Sequence, residues 1–136
     1  MRILYAMICE DAATRHDGRL DVHGVFHELF ASGFPAQQDQ MVLAVAITWQ
    51  DGERGKIDFS INMLDPSRSP VLTITAQTEV GEQHAVLGAP RTQLIMPLQD
   101  VIFPTPGTYE FELTLGGHTI PLTPLRLVQT DDAAES

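Results

Sequence analysis

Two stretches of this chain, KIDFSINML at 56–64 and TYEFELTL at 108–115, alternate apolar and polar residues, broken only at the final Met63-Leu64 pair of the first. Ile57, Phe59, Ile61 and Met63 fall on one side of the first, and Lys56, Asp58, Ser60 and Asn62 on the other. In the second, Tyr109, Phe111, Leu113 and Leu115 share a side, while Glu110 and Glu112 face away. A strand turns successive side chains to opposite faces, whereas a helix would spread these residues around its circumference. The pattern therefore requires half-buried strands. No window shows a helical period, and the one helix candidate, FPAQQDQ near residue 35, is too short to matter.

Turn signals divide the rest into similar pieces. Strands are predicted at 2–9, 19–30, 41–49, 56–64, 71–80, 91–98, 108–115 and 118–128. QDGERG, DPSRSP and the Gly116-Gly117 pair supply turns between them, with glycine where φ > 0 is needed. Pro97, Pro121 and Pro124 cannot donate to a ladder, so their strands are expected to include edge or irregular stretches. The reading is an all-β, antiparallel β-sandwich of about seven or eight strands with little or no helix. Residues 1–128 make one domain, and 129–136 a flexible acidic tail.

Segments 2–9 and 41–49 break the alternation, because both of their faces are apolar. In 41–49 one face carries Met41, Leu43, Val45, Ile47 and Trp49, and the other Val42, Ala44, Ala46 and Thr48. Either a loop covers the second face or it associates with another surface. Tyr5, Met7, Val42, Ala44, Ala46 and Trp49 are the interface candidates, with Tyr5 and Trp49 as the anchors.

The matching residues Gly24-Val25-Phe26, Phe34-Pro35, Asp51-Gly52, Asp65-Pro66, Phe103, Pro106-Gly107, Tyr109, Phe111 and Pro124-Leu125-Arg126-Leu127 run through most of the chain. In these the sequence resembles a family of small uncharacterised bacterial proteins with an immunoglobulin-like β-sandwich. Pro-Gly-x-Tyr-x-Phe is similar to a tyrosine corner, with Phe111 standing where a cysteine usually follows the tyrosine. The resemblance implies a fold but brings no catalytic or ligand residues.

Composition narrows the partners. A formal net charge of −10 opposes binding to nucleic acid or to anionic membranes. A 43% hydrophobic content is enough for a packed core. Cys9 is the only cysteine, and no signal peptide or membrane span is read, which points to the cytoplasm.

Chemistry is sparse. GERGK at 52–56 lacks the spacing of a phosphate loop, and no Gly-x-Ser-x-Gly, His-Glu-x-x-His or paired-cysteine motif occurs. Cys9 beside Glu10 and Asp11 is a poor nucleophile, because nearby carboxylates raise a thiol pKa. The cluster CEDAATRHDGRLDVHG at 9–24 is the densest in metal-ligand types. If every strand crosses the full height of the sandwich, its loop meets the loops near residues 51, 84 and 118 at one end. Asp11, His16, Asp17, Asp51, His84 and His118 are then the metal candidates, set against the ordinary abundance of Asp and Gly in turns. No catalytic residue and no cofactor is assigned. The expected function is a non-enzymatic binding or assembly module, with a protein partner or itself, through 2–9 and 41–49. The alternative is a metal-binding protein or metal-dependent enzyme using His16, His84 and His118.

Overall fold

The computed structural model describes residues 1–50, 52–81 and 90–130. Among them there is no helix, and nine strands follow in order: β1 (Arg2–Thr14), β2 (Leu20–Val25), β3 (Glu28–Ala31), β4 (Ala36–Thr48), β5 (Gly55–Leu64), β6 (Pro70–Val80), β7 (Arg91–Phe103), β8 (Gly107–Leu115) and β9 (His118–Gln129). They form a four-stranded sheet, β2-β1-β4-β7, and a five-stranded sheet, β3-β9-β8-β5-β6. All pairings are antiparallel except β3 with β9, which is parallel.

The alternating residues meet between the sheets. Phe59, Ile61 and Met63 of β5 and Tyr109, Phe111 and Leu113 of β8 pack in one core with Met41, Leu43, Val45 and Ile47 of β4. Each fully buried side chain of this kind stabilises the fold by about 1.5–3 kcal/mol before entropy is counted. Trp49 is also in this core, fully buried, and its Nε1 donates to Thr92 Oγ1 at 2.8 Å. That corrects its assignment as an interface anchor: it shares the face of Met41 and Leu43, and that face is the inner one.

The prolines fall where a ladder tolerates them. Pro97 is on β7, the edge of its sheet. Pro121 and Pro124 bracket a register shift on β9, opposite Glu112 and Glu110.

The predicted single strand at 19–30 is two strands in different sheets. The Phe26 N–H still donates to Ile8 O beside β2, whereas His27 O already accepts from the Arg126 N–H of β9. The chain therefore crosses from one sheet to the other between Phe26 and His27. It does so at mid-height, since Val25 is level with Cys9, and Cys9 with Val42. Gly24 just before it has φ +66, and a Cβ there would lie 2.6 Å from Glu10 Cδ.

This crossing changes which loops are neighbours. β2 rises only half-way and β3 returns to the starting end, so residues 15–19 and 32–35 lie together. Residues 65–69 and 104–106 join them, because Ala36 pairs with Phe103 there. β4 ends, β5 begins, β6 ends and β7 begins at the opposite end, where His118 also starts β9.

At the far end of β4 and β7 both strands change face together. Leu98 and Met41 point into the core, and so does Val101 opposite Gln38, three residues along β7. Asp100, with φ 52, absorbs the step. It turns Asp39 and Asp100 outward, where Gln37 Nε2 donates to both carboxylates, at 3.5 and 3.1 Å. At the tail, Gln129 ends β9 and the Thr130 N–H donates to Ala31 O. Residues 131–136 of the predicted flexible tail lie outside the described residues.

Candidate functional site

Among the described residues, the proposed metal candidates do not come together. His16 lies in the loop after β1, and His118 begins β9 at the other end of the sandwich. β9 is 12 residues long, so at about 3.3 Å per residue its ends are roughly 35–40 Å apart. A metal–nitrogen bond is about 2 Å, so no single ion joins the two. The loop around His16 is instead closed by its own contacts. Arg15 pairs with Asp17 at 3.1 Å, and Asp17 Oδ1 accepts from the Arg19 N–H at 3.0 Å. Asp11 Oδ1 accepts from the Ala12 N–H at 2.9 Å. Asp51 and His84 lie outside the described residues. Among the described residues no group of three or more His, Cys, Asp or Glu is placed to hold a metal ion.

Cys9 faces away from the core on β1 and is fully buried, with Val42 O 3.7 Å from Sγ. Burial pushes its thiol pKa up, and the Asp11 charge adds to this, against a lowering hydrogen bond from the Asp11 backbone. The group stays a neutral thiol near pH 7.

The outer faces of the two sheets differ sharply. That of the five-stranded sheet is solvated and internally hydrogen-bonded. Gln77 Nε2 donates to Asp58 Oδ1 at 2.8 Å, and Thr73 Oγ1 to Asn62 Oδ1 at 2.6 Å. Arg68 bridges Glu110 at 3.1 Å and Glu112 at 2.7 Å beside it.

The outer face of the four-stranded sheet is apolar through its middle. Cross-strand partners define its rows. Arg2 and Arg91 flank Thr48; then Tyr5 and Gln93 flank Ala46; then Met7 and Ile95 flank Ala44; then Cys9 and Pro97 flank Val42, with Val25 beyond Cys9. Val42, Ala44 and Ala46, between these flanks, are buried. Tyr5, Met7 and Ile95 are half-buried, Pro97 is exposed, and Val25 is 44% exposed. The Tyr5 hydroxyl is buried without a hydrogen-bond partner. Every described strand belongs to one of the two sheets, so among the described residues no third layer of strands lies on this face. Of the six interface candidates, Tyr5, Met7, Val42, Ala44 and Ala46 are thus brought together on it, and Trp49 is on the opposite side. Ile95 and Pro97 of β7 were missed. Their residues alternate too weakly to reveal a face, and only the pairing of β7 with β4 brings them in.

A second concavity of about 520 Å³ opens between the edge strands β6 and β7, lined by Leu72, Ile74, Met96, Leu98 and their neighbours, with Asp100 at its rim. Its size is that of a small-molecule cleft, but its lining offers few polar groups to orient a ligand.

Two face-to-face sheets, one with an apolar outer face and neither with an assembled catalytic or metal cluster among the described residues, define an all-β protein whose candidate site is a surface. The chain belongs to the family of unknown function DUF6941, whose family model matches residues 4–128. No curated protein matches it. No helix of the described residues is long and apolar enough to cross a membrane.

Proposed function

We propose that this protein is a non-enzymatic assembly module that works through the outer face of its four-stranded sheet, built from 2–9 and 41–49 together with β7. One observation carries the reading: the two outer faces have opposite character. Residues that a solvated sheet face would replace with Thr, Gln or Lys are here Met7, Val42, Ala44, Ala46 and Ile95. The half-buried Met7 and Ile95 and the exposed Val25 and Pro97 leave an apolar rim around the buried Val42, Ala44 and Ala46, and apolar surface of this kind marks an association site. The same reading takes the sandwich as immunoglobulin-like. Support comes from the order β5-β8-β9, which matches C-F-G, and from Tyr109 at the start of β8, the place of a tyrosine corner. The single, buried Cys9 fits a reducing compartment such as the cytoplasm.

The test is light scattering with analytical ultracentrifugation of the full chain. Concentration-dependent self-association is expected, abolished by Met7→Lys or Ile95→Lys. A wild-type chain that stays monomeric at high concentration removes the self-assembly reading.

A further inference from the structure

The charges on the outer face of the four-stranded sheet are sorted by end. Arg2 and Arg91 form the row at one end, on either side of Thr48. Three uncharged rows follow. The other end carries Asp11 and Asp21 on β1 and β2, and Asp39 and Asp100 on β4 and β7. The nearest cations there, Arg15 and Arg19, sit in the loop tip and face Asp17.

We infer that this face binds a second copy of the chain in antiparallel orientation, about a twofold axis level with Ala44. The inference rests on the assembly reading above and adds partner and orientation to it. Stacked sheets lie about 10 Å apart with their strands within about 30° of each other. Two twofold arrangements lay this face on itself. An axis along the strands sets arginines on arginines and carboxylates on carboxylates. An axis across the strands reverses the second copy end for end and keeps each strand over its counterpart. Arg2 then meets Asp11 of the second copy along β1, and Arg91 falls opposite its Gln99, one residue short of Asp100, along β7. Met7 and Ile95 meet their own counterparts at the centre.

The spacing fits. Thr48 and Gln40 are equally far from Ala44 along β4, and continuing the Cys9–Val42 register brings Asp11 level with Gln40. Because the interface is isologous, each charge contact is made twice. A net charge of −10 on each chain opposes association at a distance. Salt screens that repulsion beyond about 8 Å, so contacts at the face select the orientation.

Sedimentation equilibrium of the full chain tests this with three variants at exposed positions, each checked for folding by circular dichroism. Arg2→Glu and Asp11→Lys should each weaken the dimer by about tenfold, since each places like charges in contact twice. The combined Arg2→Glu, Asp11→Lys chain should return to within about threefold of wild type, because both contacts are restored with their signs exchanged. Single variants that dimerise as wild type, or a double variant as weak as the singles, overturn the antiparallel orientation. If Met7→Lys still abolishes the dimer in that case, the face stands as the interface and only the orientation is lost. A wild-type chain that never dimerises overturns both.

Discussion

The hydroxyl of Tyr109 donates to the carbonyl of Thr105 at 2.7 Å and accepts from the N–H of the same residue at 3.1 Å. One side chain thus ties both backbone groups of the residue that turns β7 into β8. Its ring is fully buried and meets Phe103 edge to face, with centroids 5.1 Å apart and planes at 86°.

Tyr109→Phe keeps the ring and removes both bonds, so it should cost about 1–2 kcal/mol. Tyr5→Phe should behave oppositely. Its hydroxyl is buried and unpaired, and removing an unsatisfied polar group is neutral or stabilising, by up to about 1–3 kcal/mol. Urea unfolding of both variants checks the contrast. Equal destabilisation would count against the distinction between the two tyrosines.

Gly107 sits two residues before Tyr109 with φ +130, and a Cβ there would lie 2.7 Å from Pro66 Cγ. Gly107→Ala should therefore destabilise by about 1–3 kcal/mol from backbone strain, with the clash against Pro66 adding to it. Part of the loss should disappear in a Pro66→Gly background, which removes the clash but not the backbone conformation. Thermal melts of the four combinations measure the coupling.

Asp65 organises the loop between β5 and β6. Its Oδ1 accepts from Ser67 Oγ at 2.7 Å, the Ser69 N–H at 2.8 Å and the Ser67 N–H at 3.0 Å. The Ser67 hydroxyl first, then the Ser69 and Ser67 N–H groups, hold its pKa below the ordinary carboxylate value. A carboxylate depressed in the folded state adds stability above its unfolded pKa of about 3.9 and loses it as pH falls through the folded value. Asp65→Asn should be less stable than wild type near neutral pH, and the gap should close below about pH 4. Melting temperatures followed across the acid range show whether it does.

Trp49 and Cys9 are buried on opposite sides of the same sheet. Native tryptophan fluorescence should be blue-shifted and protected from iodide, and the thiol should be inert to an aromatic disulfide reagent until the chain unfolds. Rapid iodide quenching of the native protein would return Trp49 to the surface.

Much of this architecture was readable from short windows. The face pattern of 56–64 and 108–115 is a local property of extended backbone, and it reappears in β5 and β8. The corner at Pro106-Gly107-x-Tyr109 was visible because all of its parts lie within a few residues. The placement of the loop at 15–19 was not. It depends on the step from Phe26 to His27 between sheets, where one backbone group bonds to β1 and the next to β9. Nothing local in VHGVFHEL separates such a step from a continuous strand. That step separates the two described histidine candidates: His16 remained at the end with Pro35 and Pro104, while His118 stayed at the other.

The sequence by itself determined that the chain forms strands, where most of them turn, and, in the strands that alternate cleanly, which residues share a face. These follow from backbone geometry and φ preferences acting over a few positions. Only the tertiary structure decided which apolar face of 41–49 lies inside, which strands flank it, and which loops share an end. Those choices belong to pairings between residues tens of positions apart, such as Ala44 with Met7 and Ile95, and no local preference encodes them.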